Sequence, residues 1–493
     1  MNKSNLNINS YIFFTPIILL IPFGWFLTYE FLNQNSFQYF FMSVVAEISI
    51  FFILKKLSIK GSKNIHFWII FILLLSGYFL KFYIYSFALS NNETSTFFEK
   101  LNPLIGDFIY NPDALIEYFT LITATLLTFT ISVYVLKPIS YRVFLCEDKK
   151  DLKLNKLDKY LILKKFRNFL FLTFLGSLFI LYLVLRYKIG VPGEEPLNLP
   201  FKLAGVINLT QKLFIPLLYL ILIWLSDIFK FTKVNYLSIL SYGLYATLSS
   251  IITTSRAEII FPFIVLIIYW IEIGKIKKSW IKYFFILIPI ISISYAFLGI
   301  VRNISSLGIR INELFDLELL YASQDFGLDM SFIVAILILF SSVILRIQGA
   351  DSLIYIMDYF DKFSSTRFLD IFFGQEGSAY LYTEKVLNYE TLGTLFSPSL
   401  LGFFYMIFPN ILMVCFLIYL YTYFWHKIYQ FSYSINKFMF PATFPFLMIS
   451  LIFYTNEGTL ETLIRSIIIF LLASIFIKKI TNPFKEIINL NIQ

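Results

Sequence analysis

The sequence predicts an all-α polytopic membrane protein, and three observations carry that prediction. The 493 residues are 58% hydrophobic and 20% aromatic, yet only 14% charged, where soluble domains carry about 25% charge. Apolar runs of about twenty residues recur along the chain, each long enough to cross a hydrocarbon core as a helix. Lipid offers no partner for a backbone amide, so helices are the way such runs cross. Lysines then fall in alternate loops between the runs, the pattern that fixes orientation in a membrane. The mean hydropathy of +0.76 agrees with this class.

Taken in order, spans are expected near 11–31, 37–54, 67–89, 113–136, 166–187, 203–228, 234–253, 256–273, 281–300, 407–425, 437–454 and 461–477, or about twelve in all. Only Lys3 precedes the apolar run Tyr11–Leu27, so this run is read as a retained span rather than a cleaved signal peptide. KKLSIKGSK follows the second span. Lys149, Lys150, Lys153, Lys156, Lys159, Lys164 and Lys165 lie between the fourth and fifth. Lys230 and Lys233 follow the sixth; Lys275, Lys277, Lys278 and Lys282 follow the eighth. Lys427 and Lys437 follow the tenth, and Lys478, Lys479 and Lys485 the twelfth. These are all even-numbered exits, which puts both termini in the cytoplasm. The opposite loops are acidic or mixed, with Glu93, Glu99, Asp107 and Asp113 in one and Glu194 and Glu195 in another. The net charge of +9 therefore reflects orientation, and no nucleic-acid partner is expected.

Three parts follow from this layout: spans one to nine in 1–300, a large outer stretch in 301–406, and spans ten to twelve with a cytoplasmic tail in 407–493. Within the outer stretch, Ser331–Leu345 is apolar. If it spanned, the later lysines would be exported, so a re-entrant or interfacial helix near 331–346 is expected.

Arginine is used differently from lysine. The chain has nine arginines. Arg142 and Arg167 are expected inside, whereas Arg186, Arg256, Arg302, Arg310, Arg346, Arg367 and Arg465 fall at or beyond the outer side. A guanidinium offers a planar fork of donors that matches phosphate bidentately and keeps its charge when buried. The set thus points to an outer cavity that handles phosphate, with Arg256 and Arg346 as the leading members. The alternative for each arginine is snorkelling or pairing with a carboxylate such as Glu258, Asp351 or Glu461; Arg465 lies four residues after Glu461.

His66 and His426, the two histidines of the chain, fall at cytoplasmic ends of spans, and an outer mechanism cannot use them. Any outer base is then a carboxylate or tyrosine: Asp351, Asp358, Asp361, Glu376 and Glu384 are the carboxylates available, each read more readily as a surface charge or an arginine partner than as a base. Gly374, Gly377 and Ser378 make a turn beside Glu376 that suits close approach to a ligand. Tyr380, Tyr382 and Tyr389 could stack on sugar rings, but in a chain with 33 tyrosines and 59 phenylalanines aromatic presence alone decides nothing. Gly393, Pro398 and Gly402 predict a non-helical approach to span ten. Cys146 and Cys415 lie at different levels, so neither a disulfide nor a metal site is expected.

TTSRAEIIFPFIVLIIYW, the basic turn and span after it, and the outward Arg302 together resemble the core of the O-antigen polymerases (Wzy), the bacterial oligosaccharide repeat-unit polymerases. The resemblance rests on three steps: Thr254, Ser255 and Arg256 opening a span; Arg346 to Gly349 in the large outer loop; and Ser397, Pro398 and Gly402 before the closing spans. It covers Thr253 to about Gly458, and the first 200 residues match only as a stack of spans. Phe403 follows Gly402 where the family often has an acid, and Pro409 and Asn410 stand where it often has a later glycine.

The resemblance implies a GT-C-like helical frame in the bacterial inner membrane with its active site facing the periplasm. It implies a glycosyltransferase that moves a growing glycan from undecaprenyl diphosphate to the non-reducing end of another lipid-linked repeat unit, as in lipopolysaccharide and related surface polysaccharides. Neither metal nor other cofactor is implied, and a chain-length regulator is an implied partner. Arg256, Arg346 and Asp351 are then the expected catalytic residues. Arg302, Arg310, Arg367, Glu376, Tyr380 and Ser397 are the expected diphosphate and glycan ligands. An O-antigen ligase would share the layout, but ligases typically carry an outward histidine. A flippase or exporter of lipid-linked oligosaccharide would show repeated halves and central charges. Enzymes that transfer one sugar from a lipid phosphate place an acidic pair in the first outer loop, which here reads FLNQNSF.

Overall fold

The computed structural model describes residues 36–57, 65–81, 112–136, 156–189, 197, 199, 203–253, 256–273, 349–362, 398–435, 438–457 and most of 467–479. The described residues are helical and contain no strand. We number the helices α1 (Ser36–Leu57), α2 (Ile65–Leu80), α3 (Pro112–Val135), α4 (Lys156–Arg186), α5 (Leu203–Ile228), α6 (Thr232–Thr253), α7 (Arg256–Glu272), α8 (Ala350–Lys362), α9 (Leu400–Ile407), α10 (Ile411–Ile435) and α11 (Phe440–Glu457). Five stretches are long and apolar enough to cross a membrane: Ile116–Val135 of α3, Lys159–Arg186 of α4, and the whole of α5, α6 and α10.

The chain divides into two compact units. The first takes Met1–Tyr141, Val343–Phe431 and Ser450–Ile469, and the second takes Arg142–Ser342, Ser432–Ile449 and Phe470–Gln493.

In the first unit, α1 and α3 run parallel. Thr123 Oγ1 donates to the Met42 carbonyl (3.3 Å), Thr130 Oγ1 to that of Ser49 (3.5 Å), and the Tyr134 hydroxyl to that of Phe52 (3.4 Å). The near-constant offset between partners fixes the register. Such interhelical bonds are each worth about 0.6 kcal/mol in lipid, where apolar contact alone gives little specificity. The ammonium of Lys56, in the last turn of α1, lies 4.8 Å from the centroid of the Tyr134 ring. Helix α2 returns antiparallel to α3: Phe67 meets Phe129 at one end, and the Tyr118 hydroxyl donates to the Tyr78 carbonyl at the other. These directions match the alternation expected of spans two, three and four.

The second unit is built on α4, α5 and α6 in alternating directions. Tyr219 of α5 is 3.2 Å from Ser177 of α4 and stacks on Tyr242 of α6. A five-residue π-turn, Thr210–Phe214, exposes the Gln211 carbonyl to the Tyr245 hydroxyl (2.7 Å), while the Gln211 amide reaches Ser249 (2.8 Å). The α5–α6 corner is held by Asn235, whose amide donates to the Ile223 carbonyl, Ser226 and Asp227. Tyr269 of α7 donates to the other oxygen of Asp227 at 2.6 Å.

Three boundaries differ from the sequence expectation. α4 begins at Lys156, not at 166, because its Lys- and Leu-rich start favours helix. α9 is a separate short helix ahead of α10; Pro409 lacks the amide to continue it. Asn410 then caps α10, its side-chain oxygen accepting from the Leu412 amide (2.9 Å) and the Met413 amide (3.4 Å). The non-helical approach expected from Gly393, Pro398 and Gly402 falls elsewhere: Gly402 is inside α9, Pro398 and Ser399 precede that helix, Gly393 lies outside the described residues, and the break before α10 is at 408–410. The span continues to Ile435, so His426 and Lys427 lie inside it. The element expected near 331–346 lies outside the described residues.

Candidate functional site

One end of the first unit gathers polar groups from α2, α3, α8 and α9. α2 finishes as a π-helix, Leu75–Leu80, a wide turn that recurs at functional sites. Lys81 closes it, its amide bonded to the Tyr78 carbonyl. The Lys81 side chain is fully buried, and its ammonium contacts Asp351 Oδ2 of α8 at 2.5 Å. Asp351 keeps 26% of its side chain exposed. The pair therefore has one member sealed in the helices and one at their edge. A buried ammonium without a counter-charge is costly, and the carboxylate offsets that cost.

Aromatic hydroxyls and backbone complete the cluster. Tyr118 donates to the Tyr78 carbonyl (3.0 Å). The Tyr78 hydroxyl accepts from the Leu401 amide (2.9 Å), satisfying one of the unpaired donors at the start of α9. Tyr405 of α9 donates to Glu117 Oε1 of α3 (2.8 Å). Tyr355 lies one turn after Asp351; burial, and then the Asp351 charge, push its phenol above the ordinary value, so it stays a neutral donor near pH 7.

Two close approaches bring the stretches together. Gly349 precedes α8 and its carbonyl accepts the Leu353 amide (3.0 Å). A side chain on Gly349 would collide with the Gly77 backbone, so only glycine lets α8 start against the π-turn. At Gly402 an added Cβ would lie 2.6 Å from Ile356 Cδ1 and 3.2 Å from Ser399 Oγ. Ser399, fully buried, opens α9 with φ 64° and ψ 168°, a region that favours glycine. Such strain costs about 1–3 kcal/mol and persists where the surroundings impose it, often at functional sites.

The two histidines meet at the other end of the same unit. His66 Nε2 and His426 Nδ1 are 3.2 Å apart. His426 Nε2 is 3.1 Å from the side-chain nitrogen of Gln430, and Phe67 stacks on His426. The pair ties the start of α2 to α10, away from Lys81 and Asp351. Among the described residues no three His, Cys, Asp or Glu side chains are grouped to hold a metal ion.

The expected site residues are placed unevenly. Asp351 sits in the first turn of α8 and is paired with Lys81. Arg256 is the first residue of α7, in the second unit. Arg302, Arg310, Arg346, Arg367, Glu376, Tyr380 and Ser397 lie outside the described residues. Lys81, Tyr78 and Glu117 escaped the sequence reading. Lys81 carried a signal, because a lone cation inside an apolar run marks a functional or paired position. No protein-family profile, curated protein or solved structure matches this chain.

Proposed function

We propose that the protein polymerises oligosaccharide repeat units carried on undecaprenyl diphosphate, as the O-antigen polymerases do. One observation carries the reading. Gly349, from the arginine-plus-glycine step, and Pro398–Gly402, from the Ser-Pro-x-x-x-Gly step, are far apart in sequence yet pack with the Lys81–Asp351 pair at one end of one unit. Two stretches chosen for resemblance to one family are expected to share a place if they serve one site.

In this reading the Lys81 end of α2 faces the periplasm, in keeping with the lysine-rich loops on the opposite side. The bond between the donor sugar and its diphosphate breaks, and the diphosphate leaves with the electron pair. The acceptor hydroxyl forms the new glycosidic bond and releases its proton to a nearby base. Arg256 and Arg346 neutralise the leaving diphosphate, a charge that grows in the transition state. Arg302, Arg310, Arg367, Glu376, Tyr380 and Ser397 hold the diphosphate and glycan. Asp351 keeps its assignment to the catalytic set, as the group that anchors α8 on Lys81 and takes up the acceptor proton. Both substrates are confined to the bilayer, which lowers the entropic cost of their meeting. Both histidines lie at the far end of the unit, which favours polymerase over ligase.

A buried ion pair within apolar helices also suits a transport path, which supports a flippase of the same lipid-linked units as the second reading. Purified protein with synthetic undecaprenyl-diphosphate repeat units separates the two. A ladder of products, lost in Arg256→Ala and Arg346→Ala with the fold intact, supports the polymerase; Arg256→Lys tests geometry against charge. Movement of units across liposome bilayers without a ladder refutes it in favour of transport.

A further inference from the structure

We propose that one end of the second unit is a binding face for anionic phospholipid headgroups, formed by the start of α4 and the α5–α6 turn. α4 has 31 residues, or about 46 Å of helix. The stretch from Asn168 to Arg186 covers about 28 Å and suffices to cross the hydrocarbon core of about 30 Å. The preceding three turns, KLDKYLILKKFR, must then pass through the headgroup layer. They hold five cations and a single acid, Asp158. Lys159, Lys164, Lys165 and Arg167 are exposed.

Tertiary contacts add the α5–α6 turn to this surface. Phe166, buried between the exposed Lys165 and Arg167, packs its ring against Phe229 (5.6 Å) and Phe231 (5.7 Å). Phe229 and Phe231 stack on each other and flank Lys230. Lys230 takes the left-handed conformation that closes α5, with φ 56°, and the Phe231 amide returns to the Ser226 carbonyl (2.8 Å), a Schellman closure. Lys230 and Lys233 are exposed beside it. The carboxylate of that corner, Asp227, is engaged by Asn235 and Tyr269. Tyr160 and Tyr236, 65% and 75% exposed, are the amphipathic rings that settle at headgroup level. Lys164, Lys165, Arg167, Lys230 and Lys233 thus stand on packed helices around the Phe166–Phe229–Phe231 contact, with Lys159 about 10 Å further along α4. Phosphodiester headgroups complement that charge and that depth, since basic segments beside a span attract anionic lipid within a Debye length. This inference is independent of the polymerase reading.

The test uses the full chain in non-ionic detergent with added phosphatidylglycerol or phosphatidylcholine, bound lipid being counted by native mass spectrometry. The native chain should prefer phosphatidylglycerol by at least about tenfold, and raising salt from about 50 to about 500 mM should erase the preference. Lys159→Gln, Lys164→Gln, Lys165→Gln and Arg167→Gln combined should lose it, while Arg for the three lysines should keep it. Elution volume and melting temperature check the fold of each variant. Equal binding of the two lipids by the native chain overturns the proposal, as does a preference that survives neutralisation. So does indifference to phosphatidylglycerol with retention of polyglutamate, which would assign the face to an acidic protein.

Discussion

The Lys81–Asp351 pair makes an asymmetric prediction. Lys81 is sealed and Asp351 is 26% exposed, so removing either partner leaves the charge that remains in a different setting. Asp351→Asn leaves a fully buried ammonium facing an amide dipole. Breaking a buried pair in this way costs about 3–5 kcal/mol. Lys81→Met leaves a carboxylate at the edge of the helices, able to turn outward; its cost is about 1–2 kcal/mol, near that of one lost charged hydrogen bond. Lys81→Met combined with Asp351→Leu removes both charges, and a paired replacement of this kind is often neutral. The double variant should therefore be more stable than Asp351→Asn alone. Melting of the detergent-purified variants, followed by fluorescence-detected size exclusion, ranks them. Lys81→Met falling as far as Asp351→Asn, or a double variant as weak as the two singles summed, would refute this account of the pair.

Gly349→Ala pushes a methyl into the Gly77 backbone, which has no flexible end to yield, and should lower stability by about 1–3 kcal/mol. Gly176→Ala, with open space around its position, should be neutral or stabilise by up to about 1 kcal/mol; the same melting assay compares them. His66→Phe or His426→Phe should each cost about 1–2 kcal/mol by leaving one imidazole nitrogen without its 3.2 Å partner. The double variant should cost less than the two singles added, as a double-mutant cycle would report.

Much of the frame was legible in the sequence. The described helices α1, α3, α5, α6 and α7 begin and end within a few residues of the expected spans, and within each unit the helix directions are those the lysine pattern predicts. This legibility has a local cause. A long apolar run in lipid can satisfy its amides only within itself, so its conformation does not wait for partners. The break before α10 was not read, although its signal is local: span ten was expected from 407, and Pro409 with its missing amide and Asn410 with its capping oxygen end α9 and start α10 at Ile411.

The candidate site was legible only in fragments. Asp351 and the glycine and proline steps were singled out, but nothing in the sequence paired Asp351 with Lys81, 270 residues away, or His66 with His426, 360 residues away. Gly349 was noticed beside an arginine, while its reason for being glycine is the backbone of Gly77. Phe166 read as one phenylalanine among 59 until its contacts joined α4 to the α5–α6 turn. Helix formation in a membrane is decided residue by residue along one run. Which faces meet is decided by packing and by the few interhelical hydrogen bonds that set register. The sequence by itself determined that this is a helical membrane protein with alternating spans; only the tertiary structure decided which charges, rings and glycines share a place.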